Sequence, residues 1–303
     1  MIRRVVFLSG MKSFKPSQAV YHEPNFLPYP SPLPTVLTVH DLSPLSHPET
    51  HRADYVETFK ARFPIALNRA RRVLVVSEFT RNELIRWFPR TASKISVTPN
   101  GLRDQFRPLA EETARACLDG LKLSWKHYIL TVGTLEPRKN LGRAIAAYQA
   151  LPETVRREIP LVIAGQQGWL NAALEETLAR FKGPGTIRIL GFVEDQHLNA
   201  LYSGAQVFLY PSIYEGFGLP PLEAMASGTP VVAGNQSSLP EVIGDAGLLV
   251  DPFSVDGIAD GLLQLIENQT LRTQLREQGL RRAGLFTWER TARLTQEAFL
   301  SAL

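Results

Sequence analysis

Short apolar runs alternate with stretches of helical periodicity along most of this chain. Strands are predicted at Arg4–Leu8, Thr35–His40, Arg72–Ser77, Ile95–Thr98, Tyr128–Val132, Leu161–Ala164, Thr186–Leu190, Val207–Tyr210, Pro230–Ala233 and Leu248–Val250. Most of these runs are continuously apolar, the pattern of strands covered on both faces. Helices are predicted at Ala53–Ala70, Glu78–Trp87, Glu111–Leu118, Asn140–Ala150, Leu170–Phe181, Asp195–Ser203, Pro221–Ser227, Val255–Glu267 and Thr270–Phe286. Such strand–helix alternation points to parallel α/β layers. Pro16–Pro34 carries six prolines and reads as an extended loop with no element of its own. The chain before residue 128 is too irregular for eight equal strand–helix units, and no internal repeat stands out.

At 303 residues and 44% hydrophobic, the chain has enough apolar content for about two domains. A boundary is expected within Leu102–Glu112, next to the Asn100-Gly101 turn signal and the interruption at Pro108. Residues 1–108 carry 16 Lys+Arg against 8 Asp+Glu, and the remainder 17 against 21, so the charge changes sign there. A basic first part fits an anionic partner (nucleic acid, membrane surface or phosphorylated ligand) and equally fits an ordinary solvated basic face. A single cysteine, Cys117, rules out a disulfide within the chain and a zinc site built from cysteine pairs, and suits a reducing compartment. No apolar run approaches the ~18 residues of a membrane span, and the run after Arg3-Arg4 stops at Lys12, early for a signal peptide. The expectation is a soluble cytoplasmic protein.

The common nucleotide and hydrolase signatures (G-x-G-x-x-G, G-x-x-x-x-G-K-[ST], H-E-x-x-H, G-x-S-x-G) are missing, as is any Asp-x-Asp pair. Three stretches carry chemistry instead. In Val207–Gly234 an apolar strand ends at Tyr210-Pro211-Ser212, a loop Glu215-Gly216-Phe217-Gly218-Leu219 follows, Pro221 suits a first helical position and Gly228 stops the helix. Such a unit aims backbone N–H groups and a positive dipole end at a phosphate. Glu215 and Glu223 would repel a bare anion there, so the natural task for them is to accept hydrogen bonds from sugar or ribose hydroxyls. Taken alone, Glu223 would serve the helix dipole. In Tyr128–Leu141 a strand runs into Gly133, then Arg138 and Lys139, two cations able to neutralise a departing diphosphate or simply to lie solvated. In Thr35–Leu45, His40 closes an apolar strand and can bond a ligand, carry a proton or stay structural.

Glu215 and Glu223, with seven residues between them inside EGFGLPPLEAMASGTPVV, resemble the Glu-x7-Glu signature of family 4 retaining glycosyltransferases. GTLEPRKN, VVSEFTRNEL, TPNGL, LGFVEDQHLNALY and TVHD are similar to recurring segments of that family, in the same order, over roughly residues 20–303. The resemblance implies the GT-B fold, an α/β architecture of two Rossmann-like parallel-sheet domains facing a cleft. These would be residues 1–108, joined by a C-terminal helix 287–303 with Thr287 as its cap, and residues 109–286. It further implies a nucleotide-sugar donor and no metal or other cofactor. In this reading Glu223 binds ribose hydroxyls, Glu215 and the amides of Gly216, Phe217, Gly218 and Leu219 meet the donor sugar and phosphates, and Arg138 and Lys139 clamp the diphosphate beside Gly133 and Thr134. Phe192-Val193 contacts the nucleobase, and His40 lies beneath the donor sugar.

Thr134 departs from the family, which often has Arg at that position, so Arg138 would supply the charge. Only about 34 residues precede the TVHD strand, so the first domain is expected to be incomplete. The GTLEPRKN and EGFGLP variants resemble mannosyltransferases of surface-polysaccharide assembly, making GDP-mannose the first donor expected. The acceptor would be a glycan or lipid-linked, with peripheral contact to an anionic membrane. A nucleotide-sugar-binding protein without catalysis and a GT-B sugar epimerase are the rival readings. Nucleic-acid binding is set aside for want of an aromatic-studded basic motif.

Overall fold

The computed structural model describes residues 14–303 except 16, 28–29, 167, 169–175, 180 and 182. The predicted strand Arg4–Leu8 lies outside the described residues, and of the predicted helix Leu170–Phe181 the described part is helical at 176–179. The chain forms two compact units, one running through Gly101 and including Thr287–Leu303, the other Leu102–Phe286. The seam follows Gly101 and not residue 108, because the intervening segment is bonded to the second unit. Arg103 pairs with Asp195, and the amides of Arg107 and Leu109 donate to Asn199 Oδ1 (3.3 Å) and Ser203 Oγ (3.2 Å).

In the first unit, β1 (Tyr21–Glu23), β2 (Thr35–Val39), β3 (Arg72–Val75) and β4 (Ile95–Val97) form a parallel sheet in chain order. β1 falls in the stretch expected to be loop. Three residues without proline suffice for an edge strand, and the Tyr21 amide enters the ladder by donating to Pro34 O at 2.9 Å. The helix Ala53–Arg69 lays Phe59, Phe63 and Leu67 on one sheet face, against Leu37, Val39, Val73 and Val75. Phe59 and Phe63 stack at 4.5 Å, adding about 0.5–1.5 kcal/mol to the burial of their area. The opposite face, Val36 and Leu74, is covered by Ala298 and Ala302 from the chain's end. There the helix Trp288–Leu300 starts as expected, with Thr287 Oγ1 accepting from the Arg290 amide at 3.2 Å. Gly101 admits that helix, since a Cβ on it would lie 2.4 Å from the Trp288 nitrogen.

In the second unit, β5 (Ile129–Val132), β6 (Leu161–Ala164), β7 (Ile187–Gly191), β8 (Val207–Tyr210), β9 (Val231–Gly234) and β10 (Leu248–Val250) form a parallel sheet ordered β10-β9-β8-β5-β6-β7. The chain builds outward from β5 to β7, then returns to the other side of β5 as β8. The gap between β5 and β8 is therefore the topological switch point, and its carboxyl end is where such sheets open a crevice. Helices Leu141–Ala150 and Val255–Glu267 cover one face, giving a core that includes Ile145, Tyr148, Leu161, Leu209 and Leu262.

Candidate active site

The exits of β5 and β8 carry the chemistry. β5 ends in Gly133, whose carbonyl would lie 1.8 Å from a Cβ on Gly165 at the end of β6; Gly165 has φ +157, so only glycine lets these turns touch. Thr134 is exposed. A single 3-10 turn, Pro137–Lys139, then aims both cations toward the β8 exit, and Asn140 takes the left-handed conformation (φ 58°) before helix Leu141–Ala150. Asn140 Nδ2 fixes this turn by donating to the carbonyls of Pro211 (3.0 Å) and Pro252 (2.6 Å).

Glu215, six per cent exposed, receives what the turn delivers. Its Oε1 accepts from Lys139 Nζ (2.6 Å), Tyr210 OH (2.9 Å) and Ser212 Oγ (2.5 Å), while Oε2 has Arg138 NH1 at 3.5 Å. Arg138 Nε also lies 2.8 Å from Glu136 Oε1. Burial alone would raise the Glu215 pKa, but the Lys139 ammonium and Arg138 guanidinium outweigh it and hold the carboxyl below its usual range. The Tyr210 phenol is pushed well above its ordinary value by burial and the neighbouring carboxylate, so it stays a neutral donor. The loop itself is pinned from behind, since the Glu215 amide donates to Ser237 Oγ at 2.9 Å and Ser238 Oγ lies 2.9 Å from Glu215 O and 2.6 Å from Phe217 O.

The following helix, Leu219–Ala226, starts two residues before Pro221, capped by Gly218 at φ +120. Pro220 and Pro221 occupy its second and third positions, which need no N–H acceptor within the helix, so two consecutive prolines fit. They also lack the N–H groups a phosphate would seek, leaving the amides of Gly218 and Leu219 as the donors at this end. Gly228 (φ +75) ends the helix in a Schellman arrangement, its amide donating to Met225 O (3.0 Å) and that of Thr229 to Ala224 O (2.9 Å).

Glu223 therefore stands in the second turn, too deep to serve mainly the dipole. Its Oε2 accepts from Tyr202 OH at 3.0 Å, and Arg103 NH2 is 3.4 Å from Oε1. Burial dominates here and raises the Glu223 pKa, with Tyr202 and Arg103 opposing. Phe192 projects into solvent, 63% exposed, just past β7, with Val193 half-buried beside it. His40 belongs to the first unit, exposed beyond β2, its Nε2 2.9 Å from Pro24 O and its ring edge-on to Phe26.

The structure thus joins Arg138, Lys139 and Glu215 in one cluster and gives Glu223 its own partners. Tyr202, Arg103, Ser237 and Ser238 carry no sequence signal for this role, because each is distant in the chain from the group it holds. Tyr210 and Ser212 had one, their place at the end of an apolar strand. Among the described residues no helix is long and apolar enough to cross a membrane, and no three His, Cys, Asp or Glu side chains are grouped to hold a metal ion.

A family model for "Glycosyl transferases group 1" matches residues 121–282, and one for "Glycosyltransferase Family 4" matches residues 15–106. The chain is 41% identical over 281 residues to the O-antigen chain mannosyltransferase B of Escherichia coli, covering 92% of this chain and 74% of that protein. It is 30% identical to the serotype-specific mannosyltransferase WbdA of Escherichia coli over 90% of this chain and 34% of that longer protein. Among solved structures, a glycosyltransferase from Rickettsia africae superposes with a TM-score of 0.77 at 18% identity, covering 99% of this chain and 80% of that one. The Anabaena protein HepE in complex with UDP-glucose does so with 0.75 at 20% identity, covering 89% and 73%. With two parallel α/β units and both family segments in place, this chain belongs to the group 1 glycosyl transferases of glycosyltransferase family 4, built on the GT-B fold.

Proposed function

We propose that the chain moves a hexose, mannose in the first instance, from a nucleoside-diphosphate sugar to a glycan or lipid-linked acceptor, with retention of anomeric configuration. Similarity to two mannosyltransferases supports the sugar, and a structural neighbour holding UDP-glucose supports the donor class. Guanine is the proposed base. The observation that carries the reading is the Lys139–Glu215–Arg138 cluster at the β5/β8 switch point.

Oε1 of Glu215 already has three donors, whereas Oε2 has one long contact, so Oε2 is the oxygen left to accept from a sugar hydroxyl. Lys139 Nζ spends two N–H groups on Glu215 and Tyr210 and retains a third for a phosphate oxygen. As the glycosyl–phosphate bond breaks, charge grows on the diphosphate. Cations already locked by Glu136 and Glu215 meet it without reorganising, which is what lowers a barrier rather than tightening ground-state binding. Each Glu223 oxygen keeps accepting capacity for a ribose hydroxyl, and the Phe192-Val193 backbone at the end of β7 suits the base. A cytoplasmic setting, with the basic residues 1–108 against anionic lipid, belongs to the same proposal.

Calorimetric titration with GDP-, UDP- and ADP-sugars, followed by product analysis with an acceptor glycan, tests it. GDP-mannose binding with an α-linked product is the expected result. Binding without turnover would favour a carrier role, release of an altered free nucleotide sugar would favour epimerisation, and no binding of any donor would refute the assignment.

A further inference from the structure

The amino-terminal edge of the second unit's sheet holds a charged cavity. Lys126 precedes β5, Gln206 immediately precedes β8 and Pro230 immediately precedes β9. In a parallel sheet these positions lie a full strand from the Glu215 cluster, four residues of β8 or roughly 13 Å. The cavity there measures about 300 Å³, and its lining includes Lys126, Gln206, Gly228, Arg272 and Arg276. Three cations line it and no carboxylate does.

Two of the cations are held in place by backbone carbonyls. Lys126 takes the left-handed conformation (φ 54°), and its Nζ donates to Ala205 O at 2.9 Å, spending one N–H of three. Arg272 donates to the carbonyls of Leu265 and Ile266, both 2.6 Å, at the end of helix Val255–Glu267. Arg276, one turn further along Gln269–Ala283, lies across Gly228, where an added Cβ would meet its Nε at 3.0 Å. Arg276 has no hydrogen-bond or ion-pair partner among the described residues. Burial, then the charges of Arg276 and Arg272, push the Lys126 ammonium down to about 8. Like charges gathered without a counter-charge oppose folding, and an anion seated among them reverses the sign of that interaction.

We propose that this cavity binds a phosphate group, either as free phosphate or pyrophosphate or as the head of an anionic phospholipid. The inference is independent of the donor reading, since it uses none of the residues at the carboxyl edge. Two probes separate the sources: inorganic pyrophosphate by isothermal titration, and sedimentation with phosphatidylcholine vesicles made with or without phosphatidylglycerol. At least one probe is expected to bind the full chain, and Arg276→Gln to weaken it by about tenfold or more, the scale of one charge-assisted hydrogen bond. Arg276 is exposed, so this variant leaves the fold intact. Lys126→Gln is expected to act in the same direction, while Arg115→Gln, an exposed cation that does not line the cavity, leaves the binding unchanged. Failure of both probes, binding indifferent to Arg276→Gln, or binding weakened equally by Arg115→Gln would each overturn the proposal.

Discussion

Replacing Lys139 by glutamine removes the ammonium that faces Glu215 while keeping most of the side-chain volume. The pair is separated by 2.6 Å, with side chains 12% and 8% exposed. At an effective dielectric of about 20 the gross Coulomb energy at that distance is about 6 kcal/mol. Arg138, Tyr210 and Ser212 remain around the carboxylate, so the net loss is about 2–3 kcal/mol, at or below the usual cost of orphaning one partner of a buried pair. For a unit of this size that lowers Tm by about 4–12 °C.

The dependence on pH isolates the cause. In the wild type, Glu215 has a folded pKa below its unfolded 4.5, so its contribution is fully present above 4.5 and lost as pH falls through the folded value. Without Lys139 the largest of the charges opposing burial is gone, so the folded pKa of Glu215 rises relative to the wild type. Its stabilisation above 4.5 is then smaller than in the wild type, and the difference closes as pH falls. The deficit of Lys139→Gln must therefore be greatest at neutral pH and shrink toward pH 4.5. Thermal unfolding of wild type, Lys139→Gln, Glu215→Gln and the double variant at both pH values measures this, with the double variant recovering part of the loss. Equal deficits at the two pH values, or no deficit at neutral pH, would refute the reasoning.

Other substitutions probe separate parts of the site. Glu223→Gln is expected to weaken nucleotide affinity by about tenfold, whereas Glu215→Gln should depress the transfer rate more than affinity; calorimetry beside steady-state kinetics distinguishes them, and identical small effects would count against both roles. Gly165→Ala brings a Cβ 1.8 Å from Gly133 O at φ +157, and should cost about 3 kcal/mol or more in denaturant unfolding. Gly120→Ala, where a Cβ meets nothing within 4 Å, is the neutral control. Gly101→Ala collides with the Trp288 backbone and should speed hydrogen exchange in Trp288–Leu300 relative to helix Ala53–Arg69; unchanged protection would show that the contact relaxes freely.

Much of the architecture was legible because apolar runs and capping residues are local signals. Leu161–Ala164, Val207–Tyr210 and Leu248–Val250 match their predicted bounds, as do helices Glu78–Trp87 and Val255–Glu267. β1 escaped notice because three residues among prolines make no periodic pattern, and its membership is decided by the edge of β2. The helix that carries Glu223 begins early because Gly218, and not proline, sets the turn. At the site, the cations and glutamates were visible as residue types, but their mutual pairing was not. Arg138 and Lys139 reach Glu215 across more than seventy residues, and Arg103 reaches Glu223 across 120, distances only the strand order can close. The cavity at the opposite edge combines segments near 126, 206, 228 and 272, and only Gly228 lies in a recognised motif.

The first unit is sewn from two separate stretches of the chain, with the segment 287–303 returning to cover Val36 and Leu74. On the ribosome this imposes a sequence of events. Leu102–Phe286 is uninterrupted and can mature as soon as Phe286 clears the exit tunnel, whereas the earlier-made unit must wait, one flank of its sheet bare, until Trp288–Leu300 has been made. Translation therefore finishes the second-made half first, while the amino-terminal half keeps Val36 and Leu74 uncovered in the meantime.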